Sequence, residues 1–138
     1  MIGLADTSAW SARHRDPHVE AQFNSWLKQD LVATCDVVRF ELLVSARDQD
    51  HFAVIRERLE VLRDVAVGPR VWRRALDVFE LFARQGPLHH RRVPFLDLLV
   101  AAAAEWAEVP VLHYDRHFEL IAEITGQPLR AIAPLGSM

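Results

Sequence analysis

The stretch "VPFLDLLVAAAA", residues 93–104, contains the longest apolar run of the chain, the seven residues Leu98–Ala104. Its length and apolar content predict a helix that begins at Pro94, ends at about Ala107 and enters the hydrophobic core. Asp97 stands in the middle of this apolar stripe. Its neighbours at i±3 and i±4 include no cation and no hydrogen-bonding side chain: Val93, Pro94, Val100 and Ala101. Burying a carboxylate without compensation costs several kcal/mol, so Asp97 needs a partner from elsewhere in the fold.

The start of the same helix offers Asp97 a second explanation. Pro94 suits the first helical position, which places Asp97 in the first turn. Free backbone N–H groups and the helix dipole favour a negative charge there. The first-turn position explains why the helix tolerates a carboxylate more readily than it explains why the carboxylate is there.

Outward from this helix, short apolar runs alternate with helical patterns. The runs predict strands over residues 2–5, 31–34, 109–114 and 129–133. The helical patterns cover residues 16–29, 37–46 with Asp36 as the cap, 48–63, 70–86 and 116–126. Each parallel connection needs a crossover, so we expect one α/β domain over residues 1–138 with a mainly parallel central sheet covered on both faces.

Composition narrows the class of protein. With 51% apolar and 25% charged residues, the chain has the content of a globular domain. Its single cysteine, Cys35, excludes an internal disulfide and favours a reducing, cytoplasmic setting, where we expect it to be buried and inert. No run approaches the roughly 20 apolar residues of a membrane span. The net charge of -3 means that nucleic-acid binding would need a local basic patch.

Three further acids stand in places as unusual as that of Asp97. Asp6 and Asp115 each follow a predicted strand directly, and Glu41 lies on a mainly apolar helix face. Ligands of parallel sheets bind outside the carboxyl ends of the strands, where Asp6 and Asp115 would project. The alternatives are that each Asp caps the next helix and that Glu41 faces solvent.

These four acids are reconciled if they converge on one site and a divalent cation offsets their repulsion. Carboxylate ligands without a His/Cys cluster select hard ions such as Mg²⁺ or Mn²⁺. Such an ion can activate water and shield a phosphate oxygen, so the implied chemistry is phosphodiester hydrolysis.

Four segments in series, "LADTSAW", "VVRFELL", "VPFLDLLVAAAA" and "VLHYDRHFELIAEITGQPL", resemble the PIN-domain ribonucleases, in particular the VapC-type toxins of toxin–antitoxin pairs. The resemblance covers nearly the whole chain. It implies a Rossmann-like three-layer α/β/α sandwich and an Mg²⁺- or Mn²⁺-dependent endoribonuclease. It also implies a homodimer held inactive by a cognate antitoxin.

The acidic quartet of that family maps here to Asp6, Glu41, Asp97 and Asp115. By this resemblance Asp6, Asp97 and Asp115 would hold the metal, and Glu41 would act through a water or orient the attacking water. The hydroxyl of Thr7 or Ser8 would support Asp6, with helix capping as the alternative for Ser8.

One position departs from the family pattern. Many relatives carry a second acid two positions after the fourth, where this chain has His117. The change would weaken a second metal site. Three roles stay open for the imidazole: ligation of Mn²⁺, contact with an RNA phosphate when protonated, or a surface position in the first turn of a helix.

Basic residues flank the predicted site. "GPLHHRRVP" carries Arg92 just before the helix of Asp97, and Arg116 follows Asp115. These arginines would hold an RNA backbone or an acidic segment of the antitoxin, or simply lie in a solvated loop.

Two other functions compete with the toxin hypothesis. One is a PIN-like module with weakened catalysis that binds RNA or an antitoxin. The other is a metal-dependent nuclease that acts on DNA or in RNA maturation and has no toxin role.

Overall fold

The structure, a computed structural model, describes residues 1–138 and is built on a five-stranded parallel sheet. The strands are β1 (Gly3–Ala5), β2 (Val32–Thr34), β3 (Arg63–Asp64), β4 (Val111–His113) and β5 (Leu129–Ala131). The helices are α1 (Thr7–Ala12), α2 (Pro17–Lys28), α3 (Asp36–Val44), α4 (Gln49–Glu60), α5 (Pro69–Gln85), α6 (Phe95–Trp106) and α7 (Arg116–Thr125). The predicted α/β class is confirmed.

The strand order β3-β2-β1-β4-β5 creates a switch point in the middle of the sheet. From β1 the chain builds outward through β2 and β3 and then returns to place β4 on the other side of β1. The carboxyl ends of β1 and β4 therefore lie side by side, although a long stretch of sequence separates them. Open parallel sheets bind their ligands at such a point.

Successive residues of the inner strands project into two separate cores. Leu4, Ala33 and Val111 pack with the helices α3, α5, α6 and α7, whereas their strand neighbours Ala5, Val32 and Leu112 pack with α1 and α2. This alternation is the period of a β-strand. The sheet is thus covered on both faces, as the sequence predicts, and the architecture is a three-layer α/β/α sandwich.

Helix α6 is the most deeply buried element of the fold. Every residue from Leu98 to Ala104 is buried, and the four alanines at its centre let neighbouring elements approach closely. Its exposed end is held to α5 by a two-pronged ion pair between Arg74 and Glu105, with N–O distances of 2.7 and 3.2 Å. None of the seven helices has the length and apolar character needed to cross a membrane.

Three local predictions are wrong. Pro94 is the N-cap of α6, with an extended backbone, and not its first helical residue. Strand β3 lies at the end of a stretch predicted to be wholly helical, because its two exposed residues carry no apolar pattern. Asp36 is the first residue of α3 and not its cap; Cys35 occupies the cap position. The prediction of an inert cysteine is supported by the structure, since burial raises the pKa of the Cys35 thiol to about 11.

Candidate metal centre

Asp6 ends β1 and caps α1. Its Oδ2 accepts a 2.9 Å hydrogen bond from the backbone N–H of Ser8, which confirms the capping alternative. The residue is only 4% exposed, and its Oδ1 is buried without a hydrogen-bond partner. Burial raises the pKa of Asp6, the hydrogen bonds at the cap oppose that rise, and the charge of Asp115 adds to it. Capping therefore uses one carboxylate oxygen and leaves the other without a partner.

Ser8 connects the two neighbouring strand ends. Besides the bond from its N–H to Asp6, its hydroxyl oxygen accepts a 3.0 Å hydrogen bond from the backbone N–H of Tyr114. Tyr114 immediately precedes Asp115. Ser8, and not Thr7, therefore links the two acids. Its backbone N–H contacts Asp6, and its hydroxyl contacts Tyr114, the residue before Asp115.

Asp115 follows β4 and caps α7 by accepting a 2.9 Å hydrogen bond from the N–H of His117. Its own backbone N–H donates to Nδ1 of His113, at 3.1 Å. His113 is buried, and burial lowers its pKa, so the neutral ring keeps Nδ1 as an acceptor. Sequence reasoning missed this positioning residue. Its only signal is a polar side chain within an apolar strand, two positions before an acid.

Asp97 occupies the first turn of α6 and is 8% exposed. Burial, followed by the charges of Asp6, Asp115 and Glu41, raises its pKa to about 8. Its partner is distant in sequence, as predicted: Oδ2 lies 3.1 Å from Nδ1 of His117. The charges of the three other acids all act on Asp97, and one ligand atom of Asp115 lies within 4.8 Å of one of Asp97.

Glu41 reaches this group from α3. It is half-buried, and its Oε1 is enclosed without a hydrogen-bond partner. Burial raises its pKa, and the charge of Asp6 raises it further. The alternative of a solvent-facing glutamate is therefore not what the structure shows.

His117 lies between two of the acids. Its Nδ1 is 3.1 Å from Oδ2 of Asp97 and 3.2 Å from Oδ1 of Asp115. One ligand atom from each of these three residues lies within 4.8 Å of the other two, a spacing that would suit a metal ion. With its side chain 30% exposed, His117 is part of the cluster and not a free surface histidine.

The basic residues remain outside the cluster. Arg92 and Arg116 are both exposed, the first in the turn before α6 and the second at the start of α7. The loop before Arg92 forms a 3-10 turn over His89–Arg91, in which the ring of His90 packs edge-on against Phe79 at 5.4 Å between centroids. These histidines do not join the acids.

Fold and cluster together define a class of protein: an α/β/α sandwich with carboxylates gathered at the switch point of a parallel sheet. The sequence profile of the PIN domain matches residues 4–124, a range that contains all four acids. The chain belongs to the PIN-domain family, and within it to the VapC ribonucleases that it resembles along its whole length.

Relatives and solved structures agree with this assignment. The chain is 38% identical to Ribonuclease VapC18 of Mycobacterium tuberculosis, over 100% of both chains. It is 36% identical to Ribonuclease VapC21 of the same species, over 97% of this chain and 96% of the relative. DNA-bound VapBC from Salmonella typhimurium has the same fold, with a TM-score of 0.73 at 18% identity, covering 96% of this chain and 100% of that one. VapBC-5 from Mycobacterium tuberculosis superposes with a TM-score of 0.62 at 26% identity, covering 94% and 97%.

Proposed function

We propose that this protein is a metal-dependent endoribonuclease that acts as the toxin of a toxin–antitoxin pair. The observation that carries the proposal is the position of Asp97, where burial first, and then the charges of the three other acids, raise the carboxyl pKa to about 8. Such an arrangement repels itself unless protons or a cation neutralise it. Perturbed acids gathered at a sheet switch point are typical of a functional site.

The residues of the cluster fit a divalent metal. Asp6 supplies a buried carboxylate oxygen that no protein group satisfies, and the other donors are mainly carboxylates, which suit Mg²⁺ or Mn²⁺. Asp6, Asp97 and Asp115 would hold the ion, and Glu41 would act through a water. When bound, the metal would supply an activated water and charge neutralisation at the phosphate.

The chain's own groups account for the remaining requirements of phosphodiester hydrolysis. Glu41, half-buried with a free oxygen, would orient the attacking water and accept its proton. Ser8 and His113 would hold the ends of β1 and β4 so that Asp6 and Asp115 keep their separation. Arg92, in the turn before α6, and Arg116, at the start of α7, would bind phosphates of the RNA backbone.

The partners in this proposal follow from the relatives. The curated relatives are named ribonucleases, and the structural neighbours include toxin–antitoxin complexes. We therefore propose RNA as the substrate, a cognate antitoxin as the protein partner, a homodimer as the assembly and the cytoplasm as the location. Exposed apolar side chains on α3, α5 and α6 supply surface for the protein partners: Phe40, Val44, Trp72, Leu76 and Phe95.

The test is cleavage of structured cellular RNA by purified, antitoxin-free protein and its Asp97→Asn variant, in EDTA, Mg²⁺ or Mn²⁺. We expect discrete cuts that need the metal and that fall by at least about 100-fold in the variant, because an inner ligand should matter no less than an outer one. Expression without the antitoxin should arrest growth, and Asp97→Asn should relieve the arrest. If folded protein makes no cuts under any condition, the chain is a binding module. Metal-dependent cleavage without growth arrest would indicate a nuclease with no toxin role.

A further inference from the structure

His117 is held over the acids by two independent sets of contacts. Its backbone N–H, in the first turn of α7, donates a 2.9 Å hydrogen bond to Oδ1 of Asp115. Its ring Nδ1 lies 3.1 Å from Asp97 and 3.2 Å from Asp115. The ring nitrogen thus points at the carboxylates that the proposed function assigns to the metal.

These distances match the spacing of atoms around a small divalent ion. Two ligands at adjacent positions of an octahedral ion, with bonds of about 2.1 Å, lie about 3 Å apart. An ion bound between these groups would meet Nδ1 of His117 and one oxygen of each Asp. Asp6, more than nine-tenths buried, adds an independent argument for a cation, because its Oδ1 has no hydrogen-bond partner in the protein.

We propose that His117 is a nitrogen ligand of the metal site and that it makes the site select Mn²⁺ over Mg²⁺. This inference rests on the proposed function, which supplies the metal. Mg²⁺ is a hard ion that keeps oxygen ligands and water, and it gains little from imidazole. Mn²⁺ lies in the transition-metal series and accepts an imidazole nitrogen together with carboxylates.

A purely structural His117 would behave differently. A proton on Nδ1 shared between the two carboxylates would orient Asp97 and Asp115 without entering the coordination sphere. Removal of the ring would then weaken both ions alike. The ratio of the two dissociation constants separates the ligand role from the positioning role.

The first experiment measures the dissociation constants of Mn²⁺ and Mg²⁺ by calorimetry for the wild type, His117→Gln and His117→Asp. We expect the preference for Mn²⁺ to fall by about tenfold or more in both variants, since even an outer-sphere change commonly shifts metal affinity by that factor. Both variants keep the backbone N–H that binds Asp115. A matched control is His18→Gln, an exposed histidine on α2.

The second experiment is pulsed electron paramagnetic resonance of the Mn²⁺-loaded proteins. Wild type and His18→Gln should show nitrogen hyperfine coupling of a directly bound imidazole, and both His117 variants should lack it. This measurement reports ligation itself and needs no catalysis.

The outcomes distinguish the two proposals. If both ions bind, if Asp97→Asn weakens both, and if the His117 variants keep the wild-type ratio and the wild type shows no imidazole coupling that these variants lose, the inference about His117 is overturned and the metal site stands. If neither ion binds, or if Asp97→Asn leaves binding unchanged, the metal-dependent function fails and the inference fails with it.

Discussion

The hydroxyl of Ser8 accepts a 3.0 Å hydrogen bond from the backbone N–H of Tyr114, across 106 positions of sequence. The same residue donates its N–H to Asp6, and Tyr114 directly precedes Asp115. Ser8 therefore couples the ends of β1 and β4, and with them two of the four acids. The coupling needs no charge, so it persists whether or not the acids are protonated.

Ser8→Ala should lower both the stability of the fold and its affinity for the metal ion. The unfolding free energy should fall by about 1 kcal/mol, because one hydrogen bond is lost. Metal affinity should fall by about tenfold, because the strand ends lose their common tether. Calorimetric titration and thermal melts measure both quantities. Ser11→Ala, at an exposed serine on the same helix, should change neither quantity. Equal metal affinities of the Ser8 and Ser11 variants would refute the coupling role.

Asp97→Asn should abolish stabilisation by metal. At a free Mg²⁺ or Mn²⁺ concentration of 100 times the dissociation constant, a bound ion stabilises the wild type by about 2.7 kcal/mol. The variant loses a carboxylate ligand and with it this gain. Thermal melts with EDTA and with saturating metal give the difference for each protein, and a variant that is stabilised as much as the wild type would exclude Asp97 as a ligand.

Without metal, the protein should lose stability as pH rises. The pKa of Asp97 is about 8 in the fold against an ordinary value of 3.8, so the folded state holds an extra proton between these values. Stability from this group is complete below pH 4 and declines by at most about 1.4 kcal/mol per pH unit until the folded pKa is passed. Asp6 and Glu41, whose pKa values are also raised, act in the same direction.

Denaturant unfolding in EDTA between pH 5 and pH 9 measures this slope. Asp97→Asn removes the titrating group, so its curve should be flatter and it should be the more stable protein at pH 8. Saturating metal should reverse the trend in the wild type because the ion binds the deprotonated form. A metal-free wild type that gains stability from pH 5 to pH 8 would contradict the assignment of Asp97.

Gly3→Ala should destabilise the pairing of β1 with β4. A Cβ atom at Gly3 would lie 2.5 Å from the carbonyl oxygen of Pro110, within the pairing of β1 with β4. The strands would have to separate, at a cost of about 1–3 kcal/mol. Gly68→Ala is the matched control, since a Cβ there meets nothing within 4 Å. Melting temperatures that fall equally for both variants would argue against a close approach at Gly3.

Replacing Arg92 or Arg116 by Ala should weaken RNA binding without changing sequence preference. Each lost phosphate contact should reduce the slope of log affinity against log salt by about 0.7 for single-stranded RNA. Binding to the uncleaved substrate is best measured in the Asp97→Asn background over a range of salt concentrations. Arg84→Ala, on the exposed side of α5, serves as the control. An unchanged salt slope would assign these arginines to another partner.

Much of the fold follows from local pattern. The apolar runs at residues 2–5, 31–34, 109–114 and 129–133 all contain strands, and the helix after Pro94 ends one residue before the expected Ala107. Apolar periodicity depends on which side of an element is buried, so it can be recognised in the sequence of that element alone. The same pattern identifies Asp97 as unusual, because a carboxylate within an apolar helix face has no partner among its neighbours in sequence.

Other features depend on pairs of residues that the local pattern does not connect. Strand β3, Arg63–Asp64, exists only because it pairs with β2, and its own residues are charged and exposed. His113 has the appearance of an ordinary strand residue until its Nδ1 meets the N–H of Asp115. In each case the deciding partner is a backbone group, which is the same in every residue and leaves no trace in the sequence.

The local pattern of residues is enough to predict an α/β chain with four acids in unusual positions, two of which also cap helices. The packing of the whole chain places β4 beside β1, so that Asp6 and Asp115 follow neighbouring strands of the sheet. It alone turned His117 toward Asp97. Burial and helix capping are encoded by near neighbours in sequence, whereas strand order and side-chain convergence depend on how distant elements pack together.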